Sequence, residues 1–240
     1  SIQVLLLVCF FYFIIRLLQK KSYKNIFLFS FFSALLILTR GEFILFYFLT
    51  IIYFFFYFSK DIKSFFIVLM LTSIILSPYL LRNFNNFDSL ILTKSLGYNL
   101  LKGNNPESKI EGNVEFIEEN YKRKDLRIKI NKNYEIELDN LYKKEAVRFI
   151  TENPSKFVIS YFKKVLSFLF FDINSTYPNY YNILHIGPKI IISITSLVGG
   201  ILALRSKGFY QFLSIYYFSN IFFFSIFFIL PRYSLILLPV

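Results

Sequence analysis

The sequence holds one cysteine, one histidine, one methionine and no tryptophan in 240 residues. A single cysteine, Cys9, rules out an internal disulfide, and its apolar surroundings read as those of a small buried hydrophobe. A single histidine, His185, rules out a multi-histidine metal site, and neither CxxC nor HExxH spacing occurs. His185 reads as a loop or headgroup-level residue. No cofactor is evident, and the need for a divalent metal is left open. Charge is scarce as well: 18% of residues are charged, against roughly 25% in soluble domains. Internal repeats are absent. The first apolar run has no basic region before it and no small-residue cleavage site after it, so it is not expected to be a cleaved leader. The chain starts on Ser1 and ends inside an apolar run, which reads as a fragment.

What fills the space is apolar and aromatic. The chain is 55% hydrophobic and 21% aromatic, with 33 Phe and 18 Tyr, and its mean hydropathy is +0.52. This is the composition of an integral membrane protein with one sizeable polar insertion. Apolar runs occupy 1–18, 25–39, 43–58, 64–81, 186–204 and 209–230, and a seventh begins at Tyr233. A spanning helix needs about 20 residues; the shorter second and third runs are flanked by Lys24 and Lys60, which can snorkel. The expected fold is therefore an all-α integral membrane bundle of about six to seven transmembrane helices. It divides into four spans over 1–81, an extracytoplasmic loop with short helices over 82–153, an interfacial helix over 154–171, and further spans over 172–240.

Charge sets the orientation. The short connectors "QKKSYK", "KDIK" and "RSKG" are basic, which marks cytoplasmic loops. The stretch 82–153 carries 13 Lys/Arg against 12 Asp/Glu, a near balance that fits the opposite face. The formal charge of +12 then belongs to the membrane topology, and no nucleic-acid partner is implied. The expected location is the inner (plasma) membrane, crossed several times.

The segment "PSKFVISYFKKVLSFLFF" (154–171) decides the parity. If it spanned, "RSKG" would fall outside, against the charge rule. Ser155, Lys156, Ser160, Lys163, Lys164 and Ser167 recur at helical spacing, and two central lysines would cost roughly 2.5 to 3.5 kcal/mol each in a spanning helix. Lying flat at the outer interface avoids that cost. Before it, "ELDNLYKKEAVRFITENP" (137–154) reads as an amphipathic helix ended by Asn153-Pro154. Residues 106–135 are strongly polar and carry no firm assignment.

Under this topology three arginines reach one face. Arg40 and Glu42 flank Gly41 in the first outer hairpin, Arg82-Asn83 ends the fourth run, and Arg232-Tyr233 follows the sixth. Arginine binds phosphate through a planar fork of donors; ordinary snorkelling anchors would look the same. The "KGNNPE" loop (102–107) offers backbone amides with the carboxamides of Asn104 and Asn105, and is equally suited to a plain turn.

The order "ILTRGEF", "LSPYLLRN", "GYNLLKGNNPE", "ITENPSKFVISYFKK", "ILPRYSLILLP" resembles the GT-C class of membrane glycosyltransferases, closest to the protein mannosyltransferase and aminoarabinose transferase group (family 39-like). The likeness covers roughly residues 26–240. Gly41 stands where the family pattern has Pro, and Ser234 interrupts its "RYRLP" turn. The resemblance implies an enzyme that moves a sugar from a polyprenyl-phosphate donor to a lipid, glycan or protein acceptor at the outer leaflet, among membrane lipids. It implies Arg82, Arg232 and Arg40 for the lipid phosphate, and Glu42, Asn83, Asn104, Asn105 and Tyr233 for sugar or acceptor. The family's catalytic carboxylate would lie upstream of Ser1, so the catalytic residue is unknown and the fragment is expected to be inactive alone. Rival readings are an O-antigen ligase or polymerase-like enzyme and a transporter or scaffold. An acidic first outer loop would favour the transferase. Gly/Pro-broken or charged helix centres would favour a transporter, and the helix centres here are nearly all apolar.

Overall fold

The structure, a computed structural model, describes residues 2–58, 61–121, 128, 130–172, 175 and 180–230, apart from the side chain of His185. Among the described residues all regular structure is helical: α1 (Ile2–Gln19), α2 (Tyr23–Thr39), α3 (Phe43–Tyr57), α4 (Ile62–Phe87), α5 (Leu96–Gly103), α6 (Val114–Asn120), α7 (Tyr134–Glu152), α8 (Pro154–Leu169), α9 (Ile183–Leu204) and α10 (Phe209–Phe224). The chain forms two compact units, one mainly Ser1–Thr93 with Leu202–Tyr216, the other mainly Lys94–Ile201 with Tyr217–Leu238.

Three described helices are long and apolar enough to cross a membrane: α1, α4 and the Ile186–Leu204 part of α9. Two further apolar helices, α2 and α3, are shorter. Of the expected sixth run, 209–230, the helix α10 takes in Phe209–Phe224. Beyond it the backbone tightens, with Ile226 N–H donating to Phe223 C=O and Phe227 N–H to Phe224 C=O. The seventh expected run lies outside the described residues.

In the first unit, helix starts are capped by Ser22, whose hydroxyl accepts from the Asn25 N–H at 3.3 Å, and by Asp61, which accepts from the Ser64 N–H at 3.2 Å. Each cap satisfies a backbone donor that helix geometry leaves free. The core is aromatic: Phe10 meets Phe29 at 5.5 Å, Phe29 meets Phe54 at 5.5 Å, and Phe46 and Phe11 each meet Tyr216 at 5.1 Å. Ser30, Ser33 and Ala34 on α2 are buried, and small side chains let apolar helices approach closely. Their hydroxyls are satisfied locally, Ser30 donating to Ile26 C=O and Ser33 to Phe29 C=O.

Helix α4 corrects the boundary expected at residue 81. It continues to Phe87, so Arg82 and Asn83 are helical. At 26 residues and about 1.5 Å each, it exceeds the roughly 30 Å hydrocarbon thickness. Pro78 lies inside it and cannot donate to Ile74 C=O; the Ser77 hydroxyl donates there instead, at 2.8 Å. Asp88, at φ 53°, stops the helix in the left-handed conformation.

In the second unit, Leu101, Phe116, Ile117, Leu138, Tyr142 and Ala146 form the core, with Tyr98 and Tyr121 against it. The unassigned polar stretch thus contains α6, capped by Asn113, whose carboxamide oxygen accepts from the Phe116 N–H at 3.1 Å. Its Phe116 and Ile117 supply the buried anchor that the surrounding charges concealed. Helix α7 begins at Tyr134 rather than Glu137. At Gly97 a Cβ would fall 1.9 Å from the Asp139 carbonyl oxygen, so α5 and α7 pack through that glycine. The Asp139 carboxylate accepts from the Tyr98 N–H at 3.0 Å and caps the start of α5.

Candidate functional site: a lysine-lined cleft

The second unit brings sequence-distant segments onto the "GNNP" loop. Gly103 admits the backbone of Phe227 so closely that a Cβ would fall 1.8 Å from its carbonyl oxygen. The Asn104 carboxamide donates to Leu100 C=O at 2.9 Å and to Ile226 C=O at 2.8 Å. Asn105 donates to Leu101 C=O at 2.9 Å and accepts from the Glu107 N–H at 2.9 Å. Ile229 N–H closes the loop on Ile110 C=O at 2.9 Å. Both asparagines, expected to contact sugar or acceptor, are buried, and their carboxamides bond backbone of the loop and, from Asn104, of Ile226.

Lys164 completes this lock. Its Nζ donates to Gly103 C=O at 2.8 Å and to Asn104 Oδ1 at 3.3 Å. The expected polar stripe of α8 divides here: Lys156 and Lys163 are exposed, whereas Lys164 is 0% exposed and Ser167 is buried. One residue is 100° of helix turn, enough to move a side chain from solvent to core. Burial disfavours the ammonium form and lowers the Lys164 pKa to about 7. Its acceptors are uncharged oxygens, so no ion pair offsets the desolvation.

Beside the loop lies a cleft of about 480 Å³ lined by Ser108, Lys109, Ile110, Lys156, Ile159, Ser160, Lys163 and Asp172. Four of these, Lys156, Ile159, Ser160 and Lys163, stand at i, i+3, i+4 and i+7 on one face of α8. The loop that Asn104, Asn105 and Lys164 fix supplies Ser108–Ile110. Asp172 follows the end of α8, with its backbone N–H donating to the Tyr180 hydroxyl at 3.0 Å. Burial raises the Tyr180 pKa, and this bond from Asp172 partly opposes it. Lys109 also pairs with Glu115 at 3.4 Å. Three ammonium groups against one lining carboxylate favour an anion, and Ser108 and Ser160 add neutral hydroxyls.

The other predicted residues are placed differently. Arg40 and Glu42 form an ion pair across the α2–α3 hairpin; Gly41 between them fits against Thr93, whose Cγ2 would lie 2.8 Å from an added Cβ. Arg82 is exposed on α4. Asn83 is buried and donates to Ile91 C=O at 2.8 Å, folding the chain after α4 back onto the helix. Arg232 and Tyr233 lie outside the described residues. Among the described residues no group of three His, Cys, Asp or Glu is arranged to hold a metal ion. Sequence reasoning missed Lys109 and Asp172, whose neighbours in the chain give no sign of a shared cleft. For Lys156, Ser160 and Lys163 the signal was present in their helical spacing. No protein-family model, curated protein or solved structure matches the chain.

Proposed function

We propose that this protein is a multi-pass inner-membrane glycosyltransferase that moves a sugar from a polyprenyl-phosphate donor to a lipid, glycan or protein acceptor at the outer face. The observation that carries the reading is the convergence of three motif segments in one unit. The "GNNP" loop, the basic helix after "ENP" and the residues following α10 are joined by Lys164–Gly103, Asn104–Ile226 and Ile229–Ile110 bonds. Sequence order alone did not require these segments to meet, and a lysine-lined cleft opens beside them.

In this reading α2, α3 and α10 cross the membrane with α1, α4 and α9, and α8 lies along the outer interface. A cation near the departing lipid phosphate stabilises the charge that develops on it. Arg82, Arg232 and Arg40 are the arginines assigned to that role; Glu42 and Tyr233 are assigned to sugar and acceptor, and the buried Asn83, Asn104 and Asn105 hold backbone instead. Arg82 is the first to test, because it is exposed at the end of α4 and its bidentate fork suits phosphate.

The test is sugar transfer from a radiolabelled polyprenyl-phosphate sugar in membranes of the natural host that carry the protein in its complete form, since this chain by itself is expected to be inactive. Arg82→Ala should reduce transfer at least tenfold, about the effect of losing one charge-assisted bond, with Arg82→Lys intermediate and membrane abundance unchanged. Transfer at the native rate in Arg82→Ala would return this arginine to a membrane anchor. Absence of protein-dependent transfer from any polyprenyl-phosphate sugar would reject the enzyme reading.

A further inference from the structure

Helix α8 has three sectors, and only one is buried. Lys164 and Phe168 face the core. Lys156, Ile159, Ser160 and Lys163 line the cleft. Val158, Ile159, Phe162 and Leu166 form an exposed apolar stripe, with Ile159 and Phe162 each 58% exposed. Ile159 belongs to both the cleft and the stripe, so the two surfaces are continuous. An apolar stripe that runs into a polar cation cleft is complementary to an amphiphile with an anionic head. Neither a soluble anion nor a plain hydrocarbon would use both.

We propose that the cleft formed by Lys109, Lys156, Lys163, Ser108 and Ser160 holds the phosphate of an anionic membrane lipid, whose chain lies along Val158, Ile159, Phe162 and Leu166. The ammonium groups pair with the phosphate oxygens and the serine hydroxyls donate to those left over. Asp172 at the cleft wall disfavours a second anionic group beside it. Lys109 is partly neutralised by Glu115, so Lys156 and Lys163 supply most of the attraction. The bilayer supplies this ligand at high local concentration, which is why exposed lysines suffice. The site stands independently of sugar transfer, since it requires binding alone.

The experiment uses the full chain in nanodiscs of phosphatidylcholine, with and without dioleoyl phosphatidate, and reads bound lipid by native mass spectrometry. Lys156→Gln with Lys163→Gln should weaken phosphatidate binding roughly thirtyfold, about fivefold per surface lysine. Lys143→Gln with Lys144→Gln, which removes two exposed charges from α7, should leave it unchanged. Phe162→Ser with Leu166→Ser should weaken phosphatidate while leaving the small effect of added inorganic phosphate as it was. Unaltered binding in the Lys156/Lys163 variant overturns the site. Equal loss in the Lys143/Lys144 variant overturns it too, by showing diffuse attraction. Displacement of the lipid by inorganic phosphate at comparable concentration, with no effect of Phe162→Ser and Leu166→Ser, overturns the lipid as ligand in favour of a free anion. Circular dichroism of each variant separates these outcomes from misfolding.

Discussion

The first unit is held by rings and the second by polar locks. In the first, Phe10, Phe29, Phe46, Phe54 and Tyr216 interleave. The Arg40–Glu42 pair is local, and long-range polar contacts come from the ring-bearing tyrosines themselves, Tyr47 donating to Val68 C=O at 3.2 Å and Tyr53 to Gly208 C=O at 2.7 Å. In the second, short helices depend on glycine approaches and on side chains that donate to backbone far away in sequence, such as Asn104 to Ile226. Apolar helices already satisfy their own backbones, so packing alone can join them. Short polar segments cannot, and each buried carbonyl left without a donor costs about 1 to 3 kcal/mol. The same need that builds the locks builds a cleft with fixed walls.

The largest effect separating the units is expected from pH. Lys164 has a folded-state pKa of about 7, below its ordinary 10.5, so the unfolded chain binds more protons between those values. Stability therefore rises as pH increases through that window, by about 1.4 kcal/mol per unit and about 4 to 5 kcal/mol in all. The cost of the buried charge is fully present below pH 7 and removed above pH 10.5. Unfolding in detergent, followed by a probe in the second unit, should show this rise in the native protein and lack it in Lys164→Met. Equal slopes in the two proteins would show that Lys164 is hydrated, and the contrast between the units would weaken.

Next is Gly103→Ala, whose Cβ would collide with the Phe227 carbonyl at 1.8 Å. Overpacking against rigid backbone should cost about 3 kcal/mol, seen as proteolysis within the second unit at lower temperature. Gly41→Ala in the first unit meets only the Thr93 side chain, which can rotate, and should cost less than about 1 kcal/mol. Similar losses would erase the distinction between a backbone lock and a side-chain contact.

Phe29→Ala should destabilise the first unit by about 2 kcal/mol. That is below the 3 to 5 kcal/mol typical of a water-soluble core, because lipid replaces part of the lost apolar contact. Denaturation in mixed micelles measures it; a loss above about 4 kcal/mol would mean that this core excludes lipid as a soluble core excludes water. The smallest effect belongs to Arg82→Ala, expected to change stability by less than about 0.5 kcal/mol because Arg82 is exposed. That makes it a clean substitution for the transfer assay.

The helical elements were largely legible because their causes are local. Apolar runs of near-spanning length marked α1 to α4 and α9, and Asn153-Pro154 marked the junction of α7 and α8. Less legible was the end of α4, where the composition turns polar at Arg82 although the helix continues to Phe87. Hydropathy reports the solvent a residue prefers, and a helix can leave the membrane without unwinding. Helix α6 was hidden for the converse reason: Val114, Phe116 and Ile117 are three apolar residues among charges, too few to set a period.

What the sequence determined by itself is the class of solvent, the helical backbone and the face of α8 that carries Lys156, Ser160 and Lys163. Those follow from composition and from the fixed 3.6-residue turn. Tertiary structure alone decided that Lys164 turns inward while Lys163 stays out, that Asn104 donates to Ile226 C=O, and that Lys109 and Asp172 share a cleft with α8. Each depends on which distant carbonyl or helix comes to lie beside the residue. Such encounters are set by packing across some 60 to 120 intervening residues, and no local pattern encodes them.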